Sequence, residues 1–337
     1  MSNQLNLPQV DSNQVLETSR TIIGNRMHLS SISSLIAKVD FCYDESHCDP
    51  YAWGDAFPSC HPILEAHHSP INLDHHMTRN ESLEALHLDG FHAVHTGHWK
   101  LKNNGHSVVL EVGNGMSVSG GGLPGTYHTV QLHFHWGSLN TNGSEHTVDR
   151  HRYPMEMHIV NMKSSHPNLT SALDDPTGLA VLAFFIDLYY IENVHFGRIS
   201  RLLPSIAYKG QTATVKPFPL IGLLPESHLS QYYRYHGSLT TPPCSQAVIW
   251  TMYEVPTYIS WSQFEQFVTG IFSTEEDEEF VAHLHDNFRH IHPTFSRSVY
   301  ASKDAKLLTA TANHLYSPAL SILLLQLTLT VGLIYVL

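Results

Sequence analysis

The run Gln131-Leu132-His133-Phe134-His135-Trp136 sets the tightest limit on how this chain can fold. Alternate residues of a strand face the same side. An extended run here puts Gln131, His133 and His135 on one face and Leu132, Phe134 and Trp136 on the other. A helix would scatter both sets. The apolar set needs a core, and imidazoles flanked by apolar and aromatic residues are costly to bury without compensation. Met155-Glu156-Met157-His158-Ile159-Val160 repeats the alternation, with Glu156 and His158 sharing a face. Antiparallel pairing of the two runs would bring His133, His135 and His158 together.

Three neutral imidazoles leave the fourth position of a tetrahedral zinc ion open to water, the arrangement of a catalytic centre. An all-nitrogen set favours zinc over calcium or magnesium. Metal-binding histidines usually give their second N–H to an oxygen. Gln131 and Glu156, each two residues before a ligand, are the expected acceptors. The 27 histidines of the chain carry none of this argument, because most must be surface residues. An isolated H-x-H is more often a surface pair; here the apolar flanks decide.

Val108–Val112 and Thr129–Trp136 read as half-buried strands, and Leu179–Leu188 as a buried central strand. Gly120-Gly121-Gly122 marks a turn. Trp261–Phe272 has helical spacing behind Ser260 as a possible cap, and the acidic run Glu275–Phe280 is expected to open another short helix. No repeat is visible. The reading is one strand-dominated domain over 39–301. The formal net charge of −12 argues against a nucleic-acid surface, which needs clustered Lys and Arg.

Residues 1–38 are polar, read as disordered or wrongly joined, and contain no clear secretory signal. A polar spacer, 302–316, leads to an apolar stretch, 317–337, with no charged residue after Lys306. It is long enough to span a bilayer but has no basic residues behind it. That pattern favours a GPI-attachment signal over a retained membrane helix, with Ser298, Ala301, Ser302 and Ala310 as candidate attachment sites. Cys42, Cys48, Cys60 and Cys244 allow three full pairings. With sequons at Asn80, Asn142 and Asn168, they fit an oxidising, extracellular compartment. A cytosolic protein is the competing reading.

Seven stretches occur in one order over about 260 residues: Ser69–Asn72, Asn103–His106, Gln131–Gly137, Gly143–Asp149, Glu156–His158, Gly237–Pro243 and Asp286–Arg289. Together they closely resemble the α-carbonic anhydrases, in the extracellular, membrane-anchored branch. The resemblance implies a mostly β fold with short helices, a single domain around a central, mainly antiparallel, twisted sheet of about ten strands. It implies Zn2+ on His133, His135 and His158. Thr240 would accept a hydrogen bond from zinc-bound hydroxide and pass its own proton to Glu145. Val160, Val181, Leu239, Thr240, Thr241 and Trp250 would meet carbon dioxide or bicarbonate. His106 would shuttle the proton, with Tyr43 and Asn104 ordering water. Cys60 would pair with Cys244, and Cys42 with Cys48. Implied partners are carbon dioxide and bicarbonate, a membrane reached through a lipid anchor, and transporters of bicarbonate or protons. Where the family usually has other residues, this chain has Phe41 (usually Trp), His68 (usually Gln), Asn161 (often His), His290 (often Pro) and His292 (often Gln). No ligand position is lost. A non-enzymatic surface module is the alternative function, and ester hydrolysis a side activity.

Overall fold

A computed structural model describes residues 40–74 and 77–306 of the chain. The expectations for residues 1–38, for 307–316 and for the apolar stretch 317–337 lie outside the described residues.

Fourteen strands are described: β1 (Asn72–Leu73), β2 (Thr78–Arg79), β3 (Leu86–Asp89), β4 (Trp99–Asn103), β5 (Val108–Glu111), β6 (Ser117–Gly120), β7 (Tyr127–Trp136), β8 (Thr147–Val148), β9 (Met155–Lys163), β10 (Leu179–Tyr189), β11 (Thr212–Val215), β12 (Tyr232–Gly237), β13 (Val248–Ser260) and β14 (Tyr300–Ala301). Ten of them form one continuous path, in the order β11-β4-β5-β7-β9-β10-β13-β12-β14-β2. In that path β10·β13 and β14·β2 run parallel and the other pairs antiparallel.

The path has the expected ten strands, but the sheet has twelve, because β3 and β6 attach beside it. The length of β7 is the reason. β5 covers only Gln131 to His133 of it, while β6 pairs with Tyr127 and His128, so the early backbone groups of β7 find partners too.

The alternation seen in the sequence divides the sheet into two faces. Leu132, Phe134, Trp136, Met155, Met157, Ile159, Leu182 and Phe184 lie in the main hydrophobic core. Val160, Val181, Ala183, Phe185 and Trp250 belong to a second apolar cluster on the opposite face. Leu179–Tyr189 is the central buried strand expected of it.

One helix is long, Trp261–Gly270, and it starts with a capping box between Ser260 and Gln263. The expected helix over Glu275–Phe280 does not form; that segment is turns and bends. Five consecutive acidic residues, Glu275 to Glu279, would repel one another across helical turns. Instead Glu278 Oε1 accepts the Glu275 N–H, and Glu276 Oε2 accepts from Gln211 Nε2.

The packed chain runs past Ala301 into the stretch assigned to the spacer. Ser302 Oγ accepts the Tyr232 N–H and donates to Ser230 O. Lys306 N–H donates to Glu254 Oε2 at 2.8 Å. Cys42–Cys48 and Cys60–Cys244 are disulfide-bonded, the pairing the resemblance implied. Trp53 sits under both. Its indole N–H donates to the carbonyls of Cys42 and Cys48, and its ring packs with Cys60 and Cys244. No helix among the described residues is long and apolar enough to cross a membrane.

Candidate active site

The register places the site. β7 and β9 pair antiparallel with His133 opposite His158 and His135 opposite Glu156. His133, His135 and His158 each bring one ring nitrogen within 4.8 Å of the other two. His135 and His158 are buried, and His133 is half-buried, so the cluster opens toward solvent on the His133 side.

Each ring is held from behind. His133 Nδ1 donates to Gln131 Oε1 at 3.1 Å, and His158 Nε2 donates to Glu156 Oε1 at 2.6 Å. His135 Nδ1 donates to the backbone carbonyl of Asn287 at 2.7 Å. The inward atoms are then His133 Nε2, His135 Nε2 and His158 Nδ1, all bearing lone pairs. His133 Nε2 and His158 Nδ1 are 3.3 Å apart. Two lone pairs repel at that distance unless a cation lies between them, and the edge of a tetrahedral zinc–nitrogen site is about 3.3 Å. His135 Nε2 is buried and has no hydrogen-bond partner. The donor set therefore fits zinc.

Electrostatics keep this arrangement. Burial lowers the proton affinity of His133 and His135, the Glu145 charge opposing it at His135, and the neighbouring imidazoles lower both further. Burial alone would raise Glu156. Its charge and hydrogen-bond interactions with His146, then those with His158, pull it well below the usual carboxylate range. Glu156 also takes the backbone N–H of His146 through Oε2. His146, Glu156 and His158 come close enough to resemble a second metal cluster. Hydrogen bonds account for that approach: Glu156 Oε1 is 2.7 Å from His146 Nδ1 as well as 2.6 Å from His158 Nε2.

Glu145 is fully buried. Its Oε1 accepts the Arg289 N–H at 3.0 Å, while Oε2 has no hydrogen bond and lies 3.4 Å from His135 Nε2. Thr240 is buried in the loop after β12, and Thr241 beside it is half-buried. That loop is fastened by Leu239 N–H to Ser245 O, by Cys244 N–H to Thr241 O and by the Cys60–Cys244 bond.

Val181 is paired with Val160 on one side and Trp250 on the other, and Leu239 packs against this cluster. The Trp250 ring is 4.9 Å from that of His158, so the apolar wall borders the metal-binding face.

His106 is half-buried on a turn whose N–H groups, from His106 and Ser107, both bond to Asn104 Oδ1. Its ring stacks on Phe41 with centroids 3.9 Å apart. Tyr43 packs edge-on to Phe41 and Trp53, and burial, then the Glu145 charge, raises its hydroxyl pKa.

Three contributors escaped the sequence reading. Asn287 supplies the carbonyl behind His135, takes the Trp136 N–H on Oδ1, and donates Nδ2 to His106 O. His146 shares Glu156, and the Arg289 backbone holds Glu145. The Asp286–Arg289 stretch was visible as a motif, but a backbone carbonyl leaves no residue-type signal.

Of the sequons, Asn168 is exposed and caps a helical turn with Oδ1 on Ser171 N–H. Asn142 is exposed, with Nδ2 donating to Arg152 O. Asn80 is half-buried, its Oδ1 bonded to Ser82.

The eukaryotic-type carbonic anhydrase family model matches residues 48–303. The chain is 37% identical to human carbonic anhydrase 12 over 254 residues, covering 74% of this chain and 70% of that protein. It is 38% identical to mouse carbonic anhydrase 4 over 263 residues, covering 77% and 83%. It is 35% identical to mouse carbonic anhydrase 15 over 287 residues, covering 81% and 87%. Taken with a three-histidine cluster whose donors suit zinc, these matches make the chain a member of the eukaryotic-type carbonic anhydrases, a family of zinc enzymes.

Proposed function

We propose that this chain hydrates carbon dioxide reversibly to bicarbonate and a proton at the outer face of a membrane. The observation that carries the reading is the set of three lone pairs aimed at one point, each fixed by an oxygen behind its ring. Zinc, when bound, supplies a Lewis-acidic centre that acidifies water enough to give a nucleophile near neutral pH.

The chain's own residues do the rest. Gln131, Glu156 and the Asn287 carbonyl hold the tautomers that leave His133 Nε2, His135 Nε2 and His158 Nδ1 free to bind. Val160, Val181, Leu239 and Trp250 offer an apolar surface to an apolar gas, and water is displaced from it at little cost. Thr240 is assigned to give its hydroxyl proton to Glu145 Oε2, an acceptor that the protein leaves open. The Thr240 oxygen can then only accept, which orients the nucleophile toward carbon. Backbone groups of Thr240 and Thr241 face the substrate. His106 is assigned to carry the released proton outward, imidazole being the side chain that titrates nearest neutral pH. Tyr43 and Asn104 are assigned to order the intervening water.

Two disulfides, three sequons and the apolar stretch 317–337 support the extracellular, lipid-anchored location. Ala301 and Ser302 are buried in the fold, and attachment at Ser298 would remove β14, which favours Ala310 among the candidate attachment sites. Bicarbonate or proton transporters are the partners such a location would serve.

Carbon dioxide hydration by the purified full chain tests the reading. Activity should vanish in His133→Ala. His106→Ala should slow turnover in weak buffer, with imidazole-type buffers restoring it. No turnover with zinc fully bound would reject the enzyme, and an unchanged His106→Ala rate would reject the shuttle. Release of the protein from cell membranes by phospholipase tests the anchor separately.

A further inference from the structure

We propose that Tyr189, Tyr190, Ile191, Val194, Tyr258 and Trp261 form a surface that sits in the headgroup layer of the bilayer bearing the anchor. The proposal rests on the anchored reading above.

The six residues lie on two neighbouring segments, 189–194 and 258–261. Tyr189 at the end of β10 pairs with Ser260 of β13, next to Trp261. The Tyr189 ring lies 4.1 Å from that of Tyr190 and 6.0 Å from that of Tyr258. Asn193 ties the 189–194 segment down, donating Nδ2 to Tyr258 O and exchanging two hydrogen bonds with the Gln263 side chain. These side chains are not a loosened edge of the core: Tyr190 is 71% exposed, Ile191 57%, Val194 65% and Trp261 51%. Contiguous exposed apolar surface of this kind marks an interaction site.

Composition and position choose the occupant. Tyr and Trp pair a large apolar ring with a polar tip, the combination enriched where a bilayer meets water. Lys306, the last described residue, has its N–H bonded to Glu254 on β13. Tyr258 lies four residues further along the same strand, a backbone distance of about 13 Å. With the lipid attached at Ala310, residues 307–310 can span at most about 14 Å. The bilayer bearing that lipid therefore lies within reach of the patch. The net charge of −12 opposes docking on an anionic surface, so a neutral, zwitterionic headgroup layer is the fitting partner.

The chain carries its own probe. It has five tryptophans, and Trp53, Trp99, Trp136 and Trp250 are buried while Trp261 is exposed. Protein purified from cell membranes with its lipid anchor and reconstituted in phosphatidylcholine vesicles, with lipids brominated near the headgroup end of their acyl chains, should lose the Trp261 component of its emission. The quenching should be absent in Trp261→Phe and reduced in a Tyr190→Ser, Ile191→Ser double variant. That double variant should still float with the vesicles and hydrate carbon dioxide at the parent rate. Flotation without lipid quenching, with aqueous iodide still reaching Trp261, would overturn this proposal and leave the anchor standing. Failure to float would remove the anchored reading and the patch assignment together. Shielding of Trp261 that follows protein concentration and not lipid would assign the patch to a second copy of the chain and also overturn the proposal.

Discussion

Among residues that do not themselves bind the metal, Glu156 should have the largest effect on the metal centre. Its carboxylate serves three donors, the rings of His146 and His158 and the His146 backbone, and it is itself fully buried. Glu156→Gln keeps the shape but loses the charge and puts an N–H beside two rings arranged to donate. Zinc affinity should fall by about 10- to 100-fold, read by competition with a chromogenic chelator. Gln131→Ala removes a neutral acceptor at a half-buried position and should cost less. Equal affinities for Glu156→Gln and the parent would mean that His158 is oriented by something else. At this scale the sequence was legible where function resides in side-chain identity. The spacing of His133 and His135, and the acceptors two residues before His133 and His158, could all be read from strand periodicity. The Asn287 carbonyl could not, since every residue has one and only the path of the chain aims it at His135.

For the secondary-structure elements, legibility followed the strength of the local pattern. The alternating or apolar runs Thr129–Trp136, Met155–Val160 and Leu179–Leu188 lie within β7, β9 and β10. Ser260, read as a cap, likewise marked the start of its helix. The Glu275–Phe280 segment failed because acidic residues favourable to a helix start repel one another when all are consecutive. The loop carrying Thr240 has no pattern of its own and depends on what fastens it. Cys60–Cys244 closes a sequence separation of 184 residues, against six for Cys42–Cys48. Since the entropy lost by the unfolded chain grows with loop length, Cys60→Ser with Cys244→Ser should destabilise the protein by about 2–5 kcal/mol. Cys42→Ser with Cys48→Ser should cost less. Urea unfolding would give both figures. Activity at low urea should drop more in the first pair, because that bond lies beside Thr240. Equal losses would show that loop geometry does not depend on the bridge.

For the molecule as a whole, stability should depend on pH through histidines that the reaction does not use. His68, His290 and His292 cluster beside Arg289. The ring of His292 lies 5.1 Å from that of His68 and 4.5 Å from that of His290, which stacks on Tyr51. Burial, then the Arg289 charge, lowers His68 to about 4, His290 to about 4 and His292 to about 2. Arg297 adds to the effect on His68 and His292. Against it stand the Ser59 carbonyl, bonded to His68 Nε2, Asp49, near His290, and Glu65, whose carboxylate is 3.4 Å from His292 Nδ1. The folded values lie below the unfolded value of about 6.5, so as pH falls the unfolded chain takes up protons first. The stability these groups contribute is complete above about pH 6.5 and is lost as pH drops toward the folded values, by up to about 1.4 kcal/mol per pH unit for each histidine. Glu156 is depressed in the folded state and acts in the same direction, but only below about pH 4.5. A fall in stability between pH 6.5 and 4.5 therefore belongs to buried histidines. The ligands His133 and His135 share that sign, so the unliganded cluster has to be isolated by difference. His292→Gln, which places a residue more usual for the family at that position, should flatten the urea-midpoint profile by about one proton across this window. An unchanged slope would mean that His292 is protonated in the folded protein, with Glu65 as its partner in place of a neutral, buried ring.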